Sequence, residues 1–421
     1  MSDAKYADEK APNPVVDAPF TDSDEEIVNF DALIAKDHGH DIQLRTMSWQ
    51  KAAWLLAGDQ VCLAIMAQSW SLSVLGWVPG IITMLLAGIL FYFTSMTMWR
   101  FIMKYASPDH GYCDFGYYAF GKQRWAYHFT AFMLLANNIM LIGFHVLTGA
   151  KVINTLSDHS LCTVTFSVIV TLMGIAIRVH GHRHPTLLGL RAMNAVLNIT
   201  FLWVPQILFP TFIAEMEKPQ DFPKSLAVLS CLSAFLFIVP PAVGFRYLGQ
   251  YATAPAFGSL GVVVYKKASF AFVIVPTLVI EVIYANVSAK YVYKHLMRGS
   301  HNAHSNTLIG WGVWTALMAA IWWVGFTFAE VIPSMGDFLS LLGAAFDSFF
   351  GFIYFAVAYW QMNKRDLFGG FGRTVKTVFH AVVMVVGLFL LGPGLYAACD
   401  AIVADYSGST RPAFSCADLS I

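Results

Sequence analysis

Three carboxylates stand where carboxylates are costly. Asp59 lies eight residues into an apolar run at 52–75, Glu281 lies midway through 268–289, and Asp347 lies midway through 336–360. Ionisable groups at such depth are expensive to bury and are usually kept for function. No lysine or arginine lies equally deep, so none of the three has an internal counter-charge in the sequence. An acid buried without a cation is favoured in its protonated form. The chemistry open to the three is uptake and release of a proton inside an apolar layer. The plainer role is a neutral acid hydrogen-bonded to a neighbouring helix.

Other polar groups share these runs. His145 sits in Gly143-Phe-His-Val-Leu-Thr-Gly149, where a lone histidine reads as a packing residue. Asn137 and Asn138 are adjacent and read as interhelical glue. The run 194–214 carries Asn198, Pro205, Gln206 and Pro210. A proline removes a backbone donor and frees a carbonyl one turn back, so this run is a candidate break where a ligand meets bare backbone. The first run offers Gln68, Ser69 and Ser71, but no glycine or proline between Asp59 and Leu75. Its residues give little reason for a break. Pro240-Pro241 and Gly392-Pro-Gly394 read as kinks. His180, His182 and His184, with His301 and His304, are too few and too irregular for a di-iron site. They read as polar loops. No glycine-rich phosphate loop or Ser–His–Asp pattern is present.

The elements that must position these groups follow from composition. The chain has 421 residues, 57% hydrophobic and 12% charged, where soluble proteins carry about 25% charged. Mean hydropathy is +0.58. These values exclude an ordinary soluble enzyme and point to a polytopic membrane protein. Net charge is zero, so no basic field exists to hold nucleic acid. Six cysteines without a CxxC pair argue against a disulfide scaffold or a zinc site. The spacing predicts ten spanning helices, near 52–75, 78–103, 125–148, 160–178, 194–214, 224–245, 268–289, 307–331, 336–360 and 377–402. Residues 1–48 form an acidic tail, read as disordered and cytosolic. Residues 49–403 form the membrane domain, and 404–421 a short tail.

Loop bases set orientation. Arg45 and Lys51 put the first run's start inside, Lys104, Lys122 and Arg124 return the chain inside, and Arg178, Arg183 and Arg191 do so again. After that the parity fails. Ten crossings would leave Lys290, Lys294 and Arg298 outside, and also Lys364, Arg365, Arg373 and Lys376. One crossing more or one fewer between 178 and 290 repairs the pattern. The expectation is that one helix is missing or one run does not span.

Several stretches resemble the amino acid/auxin permease family, especially its fungal neutral amino-acid permeases. They are Gly143 to Gly149 leading to Asp158-His159 and Cys162, then Phe212-Ile-Ala-Glu-Met216 and Pro219-Gln-Asp-Phe-Pro-Lys224. Arg246-Tyr-Leu-Gly249, Thr253-Ala-Pro-Ala-Phe-Gly-Ser259, Ala289-Lys-Tyr291 and Arg298-Gly299 follow. The resemblance covers roughly residues 44–402 and rests on their order and spacing. It implies an all-α polytopic membrane protein with a five-plus-five inverted-repeat transporter fold, of amino acid-polyamine-organocation type. About ten transmembrane helices are present of an expected eleven, the fifth being the one missing. The first helix of each repeat is unwound at the substrate. The resemblance also implies proton-coupled symport of neutral or aromatic amino acids, with no cofactor beyond the proton gradient and no enzymatic activity.

On that footing Ala64, Ile65, Ala67, Gln68 and Ser69 in the first helix flank the substrate. Asn198, Leu202, Trp203, Pro205 and Gln206 do so in the sixth. Asp59 matches the family's acid and is the chief candidate for proton coupling, followed by Glu281 and Asp347. Trp203 either shapes the pocket or packs. This sequence departs from the family in lacking its small, glycine-containing motif in the first helix. The alternative is a non-transporting paralogue that senses amino acids. The expected partners are an amino acid, a proton and a lipid bilayer, in the plasma membrane first and the vacuolar membrane second.

Overall fold

The computed structural model describes residues 47–60, 63–105, 111–158, 160, 188–297, 307–332 and 334–408. The acidic tail before residue 47, the apolar run over 161–178 and the chain past 408 lie outside the described residues. Apart from one bridge between Met47 and Met216, the regular elements among the described residues are helical. Helices pair every backbone group within one segment, as an apolar solvent requires.

The first run is split into α1 (Trp49–Gln60), a 3-10 turn (Leu63–Ala67) and α2 (Gln68–Leu75). Then come α3 (Trp77–Tyr105), the short α4 (Tyr112–Ala119) and the long α5 (Arg124–Ser157). A second broken helix consists of α6 (Leu188–Leu202), a 3-10 turn (Pro205–Leu208) and α7 (Phe209–Glu215). Beyond it lie α8 (Phe222–Leu248), α9 (Val263–Leu296) and α10 (Leu308–Val331). α11 (Met335–Leu342) passes through a π segment (Gly343–Ile353) into α12 (Tyr354–Met362). α13 (Phe371–Phe389) passes through a π turn (Leu390–Gly394) into α14 (Leu395–Gly408). The kink expected at Gly392-Pro-Gly394 is this π turn, whereas Pro240 and Pro241 lie inside the continuous α8.

Eight stretches among the described residues are long and apolar enough to cross a membrane, and the broken first run makes a ninth crossing. α5, α6–α7 and α11–α12 are largely buried, while α3, α8, α10 and α13–α14 show most of their surface. That outer surface is apolar. Phe272, Leu308 and Phe371 are 84%, 91% and 89% exposed, as side chains facing lipid tails would be.

Contacts between helix ends fix the direction of each crossing. Met47 donates to Glu215 O at 3.1 Å, and Glu217 N donates back to Met47 O at 2.9 Å. The start of α1 therefore lies beside the end of α7. Trp99 Nε1 reaches Pro219 O, Ser225 Oγ reaches Trp49 O, and Lys104 Nζ reaches Met362 O, all on that same face. On the opposite face Lys267 pairs with Asp158, Trp77 packs on Phe245, and the Tyr406 hydroxyl donates to Val331 O. Alternation between the faces brings α5 to an end, and α6 to its start, on this second face.

This arrangement gives the described basic residues a common face. The nine crossings among the described residues put Lys104, Lys122, Arg124, Lys290, Lys294, Lys364, Arg365 and Lys376 on the face that carries Met47. The tenth expected crossing, 160–178, lies outside the described residues. Arg191, expected inside with the 178–193 loop, instead lies near the start of α6 on the opposite face.

Candidate functional site

The two broken helices lie side by side and run in opposite directions. The second break has a local cause. Pro205 has no backbone N–H and forces the preceding residue out of the α region. Val204 accordingly has φ −126° and ψ 55°, and the chain resumes as a 3-10 turn with proline in its first positions. Pro210 then sits in the first turn of α7, where a missing N–H costs nothing.

The first break, for which the residue types gave little reason, is nevertheless present. α-Helical bonding stops at Gln60 and resumes at Gln68. Neighbouring helices hold the two ends. Ser233 of α8 donates to Gln60 Oε1, and Gln68 Nε2 donates to Asn198 O at 2.8 Å and to Ala64 O at 3.4 Å. Gln68 thus ties one broken helix to the other.

A narrow cavity of about 50 Å³ lies where α1, α5, α6, α9 and the π segment meet. Its wall is mainly apolar, with Leu141, Phe201, Leu202, Ile207, Ile280 and Phe350. Its polar groups are Gln60, Asn137, His145, Tyr284 and Asp347. Three polar atoms around it have no hydrogen-bond partner among the described residues: Gln60 Nε2, His145 Nε2 and Asp347 Oδ2. Such orphaned buried atoms are rare, and each calls for a reason.

The π segment brings Asp347 to the cavity. Its glycines permit close approach to the second broken helix. A Cβ at Gly343 would stand 2.8 Å from Leu197 O, and one at Gly351 would stand 2.7 Å from Val204 Cγ2. π turns inside α-helices are frequent at functional sites.

Of the residues expected to flank a substrate, Leu202 and Pro205 line the cavity. Ala64, Ile65 and Ala67 are buried in the first break, and Ser69 Oγ donates to Pro241 O at 3.3 Å. Asn198 is taken up in structure, donating to Asn194 O at 2.9 Å and to Ser340 Oγ at 3.2 Å. Trp203 turns away from the cavity, with its ring 5.1 Å from Phe237 and 5.8 Å from Phe91. Gln206 Nε2 donates to Thr94 Oγ1 at 3.3 Å, while its Oε1 is buried without a partner among the described residues.

The three carboxylates do not converge. Asp347 lines the cavity. Glu281 on α9 is fully buried beside it, between the lining residues Ile280 and Tyr284, with both oxygens unpartnered among the described residues. Asp59 lies one residue before the end of α1, and its side chain is outside the described residues. Sequence reasoning missed Gln60, Asn137 and His145 as cavity walls. The spacing of Asn137, Leu141 and His145 at four-residue steps was the available signal.

The description "Transmembrane amino acid transporter protein" belongs to a family model that matches residues 45–179 and 160–399. The chain is 24% identical to the "N amino acid transport system protein" of Neurospora crassa, over 99% of this chain and 100% of that protein. That alignment runs over 476 positions, more than the residues this chain has, so the relative carries positions lacking here. The chain is also 25% identical to a "Transmembrane transporter" of Gibberella moniliformis, over 90% of this chain and 89% of the relative. A "Transmembrane transporter" of Fusarium pseudograminearum is 25% identical, over 90% and 88%.

Proposed function

Since the chain belongs to the transmembrane amino acid transporter family and is a multi-pass membrane transporter of amino acids, not an enzyme, we propose that it is a proton-coupled symporter of neutral and aromatic amino acids. The observation that carries this reading is the cavity between the two broken helices. Its wall is apolar and aromatic, and no lysine or arginine is among its lining residues. An apolar side chain fits such a wall, and the few polar groups can orient the ends of an amino acid. Freed N–H groups at the breaks would hold the substrate carboxylate, and freed C=O groups its ammonium.

The antiparallel pair of broken helices supports a five-plus-five inverted repeat. The second repeat then comprises α6–α7, α8, α9, α10 and α11–α12. The first comprises α1–α2, α3 and α5 among the described residues, and its remaining stretch, 159–187, is too short for both a fourth and a fifth spanning helix, which implies a deletion there. The longer alignment with the Neurospora protein is in line with that deletion. With Met47 on the cytosolic side, the basic loops follow the positive-inside rule. Plasma membrane is the proposed location. In this reading Ala64, Ile65, Ala67, Gln68 and Ser69 shape the first break beside the cavity without entering its lining. Leu202 and Pro205 form the wall on the second broken helix, while Asn198, Trp203 and Gln206 brace it from outside the cavity lining. Asp59, Glu281 and Asp347 are the candidates for the proton.

The test is uptake of labelled neutral and aromatic amino acids by permease-deficient cells with confirmed surface expression, at acidic and neutral external pH. Acid-stimulated uptake is expected. Surface protein that binds amino acids without moving them would replace the reading with a sensor.

A further inference from the structure

The long helix α5 and its neighbour α9 are antiparallel, and two contacts set their register. Asn138 Nδ2 donates to Ser288 Oγ at 3.1 Å, and Asp158 pairs with Lys267 at 2.6 Å. Between those contacts α5 climbs twenty residues while α9 falls twenty-one. Seven residues beyond the first contact, His145 and Glu281 therefore stand level. Seven residues are close to two full turns, so His145 shares the face of Asn138, and Glu281 the face of Ser288.

Both side chains are buried, His145 at 2% and Glu281 at 0% exposure. His145 Nδ1 lies 2.8 Å from Leu141 O. A carbonyl only accepts, so Nδ1 carries the hydrogen and the neutral ring presents Nε2 as a bare acceptor. Nε2 has no partner among the described residues, and neither has either oxygen of Glu281. An unpaired acceptor thus stands level with a carboxyl group that can supply a proton.

We propose that His145 and Glu281 together hold the coupling proton. This rests on the proton-coupled reading above and names its site. One proton is shared as neutral imidazole with carboxylic acid, or as imidazolium with carboxylate. Its loss leaves neutral imidazole and carboxylate, a change of one charge. His145 also lines the cavity, so the pair exchanges its proton with that space directly or through one water.

Other titratable groups face this region from each packed helix. The π segment brings Asp347 to the same cavity, and α11 carries Asp337 nearer its start. α10 carries Glu330 near its end, and α9 adds Tyr284. α5 itself carries Lys151 and, towards the other face, His128 and Tyr127. α4 brings Tyr112 and Cys113 near Tyr291, and α1 carries Asp59, whose side chain is outside the described residues. Among the described residues, His145 is the histidine with an unused acceptor level with an unused carboxyl.

The test uses purified full-length protein in liposomes with a labelled neutral amino acid that the wild-type chain takes up. The variants are His145→Gln and Glu281→Gln. Glu281→Gln, outside the cavity lining, should keep substrate exchange without a gradient to within about twofold. Accumulation driven by an acid-outside gradient should fall at least tenfold, and the pH dependence between 5 and 8 should flatten. Variants that accumulate substrate with the wild-type pH profile overturn the proposal. So does a Glu281→Gln chain that loses exchange and accumulation equally, since that is a structural role. A wild-type chain that ignores the gradient overturns the parent reading, and is told apart because no variant is involved. If a variant does not reach the membrane, wild-type infrared difference spectra decide. Either a buried carboxylic-acid C=O band or imidazolium ring bands must appear on acidification, and the absence of both overturns the pair.

Discussion

α5 and α10 cross at two glycines, and that crossing holds the cavity wall in place. A Cβ on Gly143 would stand 2.7 Å from Gly325 O, 3.2 Å from Phe338 Cζ and 3.3 Å from Phe328 Cβ. A carbon sits against a carbonyl oxygen at roughly 3.3–3.6 Å, so Gly143→Ala must part the helices by about 0.6 Å or more. Gly325 O is backbone and cannot swing aside as a side chain would. Overpacking of this kind costs about 1–3 kcal/mol. Gly312 on α10 is the matched control, because a Cβ there meets nothing within 4 Å. Alanine is the better helix former by about 1 kcal/mol, so Gly312→Ala should be neutral or stabilising. The assay is the apparent melting midpoint of each purified variant in one detergent, with uptake measured in parallel. Gly143→Ala should melt several degrees lower, and it should also slow uptake, because His145 lies two residues further along the same helix. A Gly143→Ala protein as stable as wild type, with Gly312→Ala the weaker one, would refute the reasoning.

Pro205→Ala restores an N–H at the second break. It should lengthen α6 and reduce uptake at least tenfold with normal surface expression, which labelled uptake checks. Burial, and then the neighbouring Asp114, push the Cys113 thiol up to about 12. Thiolate therefore stays scarce from pH 7 to 9 and rises only towards 12, so Cys113 should resist a membrane-permeant maleimide throughout that range by mass spectrometry. Lys267→Ala removes the Asp158 pair, whose carboxylate side chain is 75% exposed. It should shift stability by no more than about 1 kcal/mol, visible as an unchanged melting midpoint. Phe201→Ala enlarges the cavity wall and should favour bulky over small amino acids in a competition uptake assay.

Much of the fold was legible from the residues. Apolar runs of spanning length marked the crossings because a bilayer tolerates only internally bonded segments. The second break was legible because Pro205 acts on its own backbone and on Val204, a purely local effect. The charge parity showed that ten crossings do not fit the loop bases, which obey a rule that counts crossings. It could not say whether to add a helix or remove one. The contact of Met47 with Met216 adds that the crossings between them are even in number, and no local pattern encodes which ends meet.

The first break also belongs to the tertiary structure. Its residues are ordinary helix formers, and the break is held by Ser233 and by the Asn198 carbonyl, 173 and 130 residues away. The same holds for the carboxylates. The sequence by itself determined that Asp59, Glu281 and Asp347 lie deep in apolar runs. Only packing determined that Asp347 and His145 share a cavity while Glu281 stands level with His145. Depth follows from position along one helix, but proximity follows from how separate helices pack, through glycines such as Gly143 and Gly343 whose missing side chains let backbones meet.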